Sequence, residues 1–221
     1  MKSFLVALFA SISFCLPALA DPKIEKWNSL HAMGCMLLKD CTENIEQVKT
    51  VEDIEDIYPG MIYPETIKSE LQDLLKAIDA VGSKVYIADQ KYFPKLHRGV
   101  YHTISNDFFL NYDFMHRPNT LMTVMRHEAF HAVQDCMAGT IENPLIAIVH
   151  PEEDVPKFYR NMAEHMYPSE VVPWEAEALW AGHTEGITIR GLKSCAAGTM
   201  WIDNKPTPMT EEWLKENGYI E

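Results

Sequence analysis

The stretch VMRHEAFHAVQDC, residues 124–136, constrains the fold of this chain more than any other. Most of its positions are apolar, so it predicts a largely buried helix, which we place at about residues 121–137. His127, Glu128 and His131 nevertheless lie in its middle. Burying such groups costs on the order of several kcal/mol unless something satisfies them. The fold must therefore supply a partner for these three side chains.

The spacing of the two histidines suits a shared metal ion. Residues four apart project from one face of a helix, and neutral imidazole is a preferred ligand of zinc. His127 and His131 can therefore bind one ion. Glu128 lies about 100° around the helix from His127, beside the ion, where it can take a proton from water. A surface helix with two stray histidines is the alternative, and the apolar flanks favour zinc.

A second segment, PWEAEALWAG at residues 173–182, offers the third protein ligand that catalytic zinc usually has. Pro173 suits the first turn of a helix and Gly182 suits its end. Glu175 and Glu177 are two residues apart, hence about 200° apart around that helix. They cannot both face one ion, and the spacing leaves open which of them does.

Together the two helices resemble the gluzincin branch of the zincin metallopeptidases. The His-Glu-x-x-His pentad, residues 127–131, is followed forty-odd residues later by Glu-x-Glu-Ala. In gluzincins the first glutamate of that second helix is the zinc ligand, so the resemblance implies Glu175. Many gluzincins place Asp or Asn four residues later to brace the first histidine. Leu179 stands there in this chain, which leaves the brace unassigned.

The resemblance also implies a fold and an activity. Zincins place a small sheet directly before the pentad helix, which implies an α+β, zincin-like fold that is mainly helical. It further implies one zinc ion, a peptide or protein substrate, and hydrolysis in which Glu128 passes a proton from water to the leaving amine. The chain is also similar to uncharacterised bacterial metallopeptidases, from which no substrate follows.

Two further side chains lie near this pattern. Gln134 is three residues beyond His131, on the same face, where it either braces the site or caps a polar edge. His183 follows Glu175 by eight residues and is a candidate for stabilising the developing oxyanion, a role zincins often give to His or Tyr. A lone histidine after a helix is more often simply solvated. Weaker candidates are Tyr159, Tyr167, His102, His150 and His165.

The first twenty residues have the pattern of a signal peptide. Lys2 precedes an apolar run, residues 4–16, that is shorter than the roughly 20 residues needed to span a bilayer. Small residues then predict cleavage before Asp21. We expect an exported protein, periplasmic or extracellular, whose mature chain, residues 21–221, is one domain without stable membrane insertion.

The charge of the chain argues against two classes of partner. The formal net charge is −13, and losing Lys2, the only charged residue of the signal peptide, makes it −14. A surface this acidic repels the phosphates of nucleic acids and of anionic lipids.

The cysteines predict two disulfides. Cys15 leaves with the signal peptide, and the remaining even number in an exported chain indicates disulfide pairing, for which three connectivities exist. Cys35 and Cys41 are six residues apart, so a local bridge is the simplest choice. Cys136 would then pair with Cys195 and stabilise the fold by about 4 kcal/mol. Cys136 points away from the metal face of its helix, so it is predicted to anchor that helix.

Periodicity and turn residues predict the other elements. A helix over residues 24–48 and a clear amphipathic helix over 64–82 give a helical N-terminal part, residues 21–80, with a turn-rich connector at 51–65. Asn119 or Thr120 is expected to cap the pentad helix. Residues 187–195 are either extended or helical. The remaining predictions are strands at 84–89, 99–105 and 108–114, helix pieces within 141–151 and 153–170, and a terminal helix at 209–219.

Two functions compete with the metallopeptidase. One is a zincin-like domain that binds metal or protein without catalysis, which the absence of an acidic residue at Leu179 favours. The other is a structural exported domain with no metal. Zinc content and hydrolysis of a broad peptide library distinguish the three.

Overall fold

The structure is a computed structural model that describes residues 31–204 together with residues 215, 216 and 218. The predicted signal peptide and the rest of the predicted terminal helix lie outside these residues. The described part has an α+β fold with one mixed four-stranded sheet. Its helices are α1 (residues 31–37), α2 (Val51–Ile57), α3 (Glu65–Ala80), α4 (Tyr112–Met115), α5 (Pro118–Met137), α6 (Lys157–Met166), α7 (Val172–Gly182), α8 (Ile187–Ala197) and α9 (Met200–Asp203). Its strands are β1 (Ile45–Val48), β2 (Lys84–Ala88), β3 (Gly99–His102) and β4 (Asp107–Asn111).

The sheet has the order β1-β2-β4-β3, which places β3 at an edge beside α5. β2 and β4 are parallel, while β1 and β3 run antiparallel to their neighbours. Side chains alternate between the two faces, as the period of a strand requires. Phe108 and Leu110 join the main core, whereas Phe109 packs with Met36 of α1 on the other face. Both faces of the sheet are therefore covered.

Helix α5 is the centre of the fold and carries the pentad. It packs against α3, α7, α8 and β3, and most of its side chains are buried, as its apolar sequence predicts. The helix begins at Pro118, earlier than predicted, because proline is well tolerated in the first turn. The predicted caps Asn119 and Thr120 are therefore wrong. Arg117 occupies the capping position and makes no side-chain cap.

The predictions for the N-terminal part are partly wrong. Residues 31–37 are helical, but residues 45–48 form strand β1, so the segment 21–80 is not simply helical. The predicted connector contains α2. Thr50 and Asp53 form a reciprocal capping box that fixes the first turn of this helix.

The other element predictions hold to different extents. The amphipathic helix is present as α3, and the three predicted strands are present as β2, β3 and β4 with shorter bounds. Residues 112–114 belong to α4 because the Asn111 side chain accepts the amide of Asp113 and starts a helix. Residues 141–151 are not helical, whereas 187–195 lie in helix α8.

Both predicted disulfides are confirmed. Cys35 of α1 bonds to Cys41, which follows that helix. Cys136 at the end of α5 bonds to Cys195 of α8. Such bonds are compatible with a secreted protein. In the described part of the chain, no helix is both long and apolar enough to cross a membrane.

A buried acid ties α5 to strand β3. Asp135 is fully buried, and a hydrogen bond of 2.8 Å joins its Oδ2 to the Tyr101 hydroxyl. Burial raises the pKa of Asp135 to about 8. The neutral acid can donate to Tyr101, whose own proton then goes to Asn106 Oδ1 at 3.0 Å. Tyr101 thus has a donor and an acceptor, and β3 is held against the pentad helix.

Replacing Asp135 by asparagine should flatten the pH dependence of stability. The pKa of this carboxyl is higher in the folded chain than in the unfolded chain. Its contribution to stability is therefore complete below the unfolded-state pKa and is lost as the pH rises to about 8. Between pH 4 and pH 8 the free energy of unfolding of wild type should therefore fall, relative to that of Asp135→Asn, by at least about 1.4 kcal/mol. Urea denaturation at both pH values measures this fall. Equal changes in the two proteins would show that the acid is charged in the fold.

Candidate metal centre

Three side chains from two helices meet at one point. His127 and His131 lie one turn apart on α5, and Glu175 lies in the first turn of α7. The His127 Nε2 is 3.3 Å from Glu175 Oε2, and the His131 Nε2 is 3.9 Å from Glu175 Oε1. One ligand atom from each residue lies within 4.8 Å of the others. Helix α7 can come this close because Gly182 has no side chain, and a Cβ there would be 3.2 Å from the His127 Cβ.

Burial and mutual charge set the protonation of this group. Burial opposes the protonated form of His127, but the Glu175 and Glu128 carboxylates outweigh it and raise the pKa of this imidazole. Burial lowers the pKa of His131. Burial also works to raise the pKa of Glu175, yet the two histidines lower it overall. A carboxylate thus faces two imidazoles, one of which is held neutral.

Glu128 lies beside this group, between α5 and strand β3. It is buried, which raises its pKa to about 7, and the Tyr101 backbone amide donates to its carboxylate. The strand approaches closely because Gly99 has no side chain. A Cβ at that position would lie 2.7 Å from Glu128 Oε1. No pattern in the sequence predicts this role for the glycine.

The two histidines have different braces. The Gln134 Oε1 is 2.8 Å from the His131 Nδ1, so the bracing role left open for Gln134 is the one its geometry supports. The His127 ring hydrogen bonds to the backbone carbonyl of Ala178. Leu179 follows directly, at the position where gluzincins carry an acidic brace. The partner of the His127 ring is therefore a backbone carbonyl and not the side chain at position 179.

Glu177 is engaged elsewhere. It is fully buried, and its carboxylate accepts the backbone amides of Val149 and His150. The Gln134 Nε2 donates to its Oε2 at 2.9 Å. Of the two glutamates that the sequence offered as third ligand, the structure brings only Glu175 next to the histidines.

His127, His131 and Glu175 line a cleft of about 870 Å³. One wall is β3 with residues 96–98, and the other is formed by the end of α6, Tyr167, α7 and His183. His183 is exposed, and its Nδ1 lies 2.8 Å from the Leu179 carbonyl oxygen. The Tyr167 hydroxyl interacts with the Glu175 carboxylate, and burial raises the pKa of Tyr167.

The other weak candidates do not line this cleft. His102 contacts Ser105 on the far side of β3, and His165 contacts the Asn161 carbonyl. His150 stacks against Phe130 in the core. Tyr159 lies behind His183, with 5.6 Å between the two ring centroids.

The residues present fit a zinc ion. Glu175 Oε2 is buried and, among the described residues, receives no hydrogen bond of normal geometry although His127 Nε2 is near. One ligand atom from each of the three residues lies within 4.8 Å of the others, so a single ion could contact all three after small shifts of the side chains. Two imidazole nitrogens and one carboxylate are a donor set that zinc accepts.

Comparison of the chain with protein-family models, with curated proteins and with solved structures found no match. The resemblance to gluzincins rests on the pentad and on Glu175.

Proposed function

We propose that the chain is an exported, zinc-dependent metallopeptidase of the zincin type that hydrolyses peptide bonds. One observation carries the proposal. His127, His131 and Glu175 converge in an open cleft with a buried carboxylate, Glu128, immediately beside them. A purely structural zinc site would be closed by a fourth protein ligand, and the described residues bring only three such groups together.

His127, His131 and Glu175 would hold the zinc ion. When bound there, zinc supplies a Lewis acid that polarises a carbonyl and makes water a stronger acid. Glu128 is the general base: its carboxylate accepts a proton from water and passes it to the leaving amine nitrogen. The Tyr101 amide fixes the orientation of that carboxylate. A nearby cation lowers the pKa of Glu128 below its metal-free value, so the resting form is the carboxylate.

Strand β3 offers a surface on which an extended peptide can lie. The Arg98 carbonyl accepts the Asn111 amide at 2.9 Å, so alternation turns the backbone groups of Gly99 and Tyr101 away from β4. The Tyr101 amide is used by Glu128, so the Gly99 backbone groups are the ones offered to a substrate. Among the described strands, β3 pairs only with β4, and its other edge borders the cleft. A substrate strand added there would pass beside Glu128.

Two side chains on the opposite wall are candidates for stabilising the oxyanion. His183 and Tyr167 both line the cleft across from β3. Each could donate a hydrogen bond to a developing negative charge by redirecting its present one, which Tyr167 makes to the Glu175 carboxylate and His183 makes to the Leu179 carbonyl oxygen. The contact with Glu175 places Tyr167 beside the proposed metal ligand.

The test uses the mature protein and a quenched fluorescent peptide library. Stripping zinc with a chelator should abolish hydrolysis, and restoring one equivalent of zinc should recover it. Protein that binds zinc but leaves the whole library intact would favour the non-catalytic, zincin-like domain. Protein that binds no zinc would favour the structural domain.

Replacing Gly99 by alanine should impair catalysis while leaving zinc bound. The new Cβ would meet Glu128 Oε1 at 2.7 Å, so the base or the strand must shift. A displacement of about 1 Å can cost about 100-fold in rate, which is the loss of kcat expected here. Gly34→Ala is the matched control, because a Cβ at Gly34 has nothing within 4 Å. Full activity of Gly99→Ala would show that the chemistry does not need the close contact between β3 and Glu128.

A further inference from the structure

We propose that Gln134 and Glu177 are positioning residues that keep the proton of His131 on Nδ1 and so present its Nε2 lone pair to the metal. The inference deepens the proposed metal centre and rests on it. Neither residue touches the position where the ligand atoms converge. Their effect passes through hydrogen bonds that fix which way each side chain points.

The orientation of the Gln134 amide follows from its partners. Its Nε2 lies 2.9 Å from the Trp174 carbonyl oxygen and 2.9 Å from Glu177 Oε2, and both of these groups are acceptors. The NH₂ group must therefore face them, which leaves Oε1 facing the His131 Nδ1 at 2.8 Å. An amide oxygen only accepts, so Nδ1 must carry the proton. The neutral ring then has its lone pair on Nε2, the atom that faces Glu175.

Glu177 is an acceptor because two backbone amides donate to its carboxylate. The Val149 amide lies 3.1 Å from both carboxylate oxygens, and the His150 amide lies 2.5 Å from Oε1. The His150 Nδ1 also lies 3.2 Å from Glu177 Oε1. A buried carboxylate is tolerated when donors satisfy it in this way. Its contact with the Gln134 Nε2 agrees with the amide orientation that the Trp174 carbonyl requires.

The network joins three parts of the fold. The loop at residues 147–150 is fixed to Glu177 of α7 and, through the Ala147 amide, to the Gln134 backbone carbonyl at 2.9 Å. Gln134 in turn holds His131. The ring is therefore set by a chain of hydrogen bonds that begins at backbone amides outside the metal group. Outer partners of this kind orient ligands and raise their basicity.

The test measures zinc affinity by competition with a chromophoric chelator, so it does not depend on hydrolysis. Gln134→Leu removes the acceptor, and we expect zinc to bind about 10–100-fold more weakly. Glu177→Gln places an NH₂ group against the Gln134 NH₂. Because the Trp174 carbonyl still requires that same NH₂, the Gln134 amide has one repulsive contact whichever way it points, and its hold on the His131 Nδ1 weakens. The same range of loss is expected, although this substitution touches no ligand.

The double variant Gln134→Glu with Glu177→Gln exchanges the two groups. The carboxylate now at position 134 accepts from the His131 Nδ1 and from the amide at position 177, whose oxygen accepts the backbone amides, but it also meets the Trp174 carbonyl oxygen, which cannot donate. Zinc affinity should recover part of the loss seen in Glu177→Gln, which a merely structural role would not produce. The control is Thr188→Val, which removes another buried hydrogen bond onto α5, to the Arg126 carbonyl, and should leave zinc affinity unchanged.

Each outcome decides the proposal. Single variants that bind zinc as tightly as wild type would overturn the positioning role and leave the metal centre standing. Wild type without zinc affinity would overturn both. Should the variants not fold, long-range ¹H–¹⁵N spectra of metal-free wild type give the same decision. A proton on Nδ1 of His131 supports the role, and a proton on Nε2 refutes it.

Discussion

Replacing Glu128 by glutamine should lower kcat for peptide hydrolysis by about 10²–10⁴-fold while one zinc ion stays bound. The amide has nearly the shape of the carboxylate but cannot accept a proton from water. Glu128 is not among the three groups whose ligand atoms converge, so zinc binding should survive. Its burial between α5 and β3 accommodates an amide without loss of packing. The measurement pairs kcat with zinc content in the same preparation.

The control for this variant is an exposed glutamate that lies outside the cleft. Glu164→Gln on α6 makes the same chemical change at the protein surface and should leave both kcat and zinc content as in wild type. Full hydrolytic activity in zinc-loaded Glu128→Gln would refute the proposed general base, whatever becomes of the metal site.

Replacing Glu175 by alanine should have the larger effect on the metal. Two imidazoles would remain, and the buried Glu177 cannot take over because backbone amides and Gln134 occupy its oxygens. Zinc affinity should fall by more than the about 10–100-fold expected when only an outer partner is lost. Glu164→Ala is the matched control and should bind zinc as wild type does. Chelator competition measures both affinities.

The sequence predicts the centre of this molecule well because its signals there are local. The helical spacing of His127 and His131 lies within one element, and helix geometry alone places both rings on one face. The amphipathic helix α3 and the strand β2 are predicted for the same reason. The disulfide between Cys136 and Cys195 follows once the short-range pair is assigned.

Other parts depend on tertiary contacts that a single sequence does not reveal. Which glutamate of α7 faces the histidines is decided by how α7 crosses α5, and the backbone carbonyl that braces His127 has no signature in sequence. Residues 45–48 form a strand because β2 is available to pair with them. The helix α2 was predictable, since Thr50 and Asp53 have the spacing of a capping box, but its acidic residues suggested a connector.

Elemental analysis of the purified protein tests the proposed metal centre most directly. After equilibration with zinc and extensive dialysis, wild type should retain one zinc ion per chain, and Glu175→Ala prepared alongside should retain almost none. Wild type that holds no zinc would contradict the metal centre itself. Glu175→Ala that holds as much zinc as wild type would contradict the ligand set of His127, His131 and Glu175.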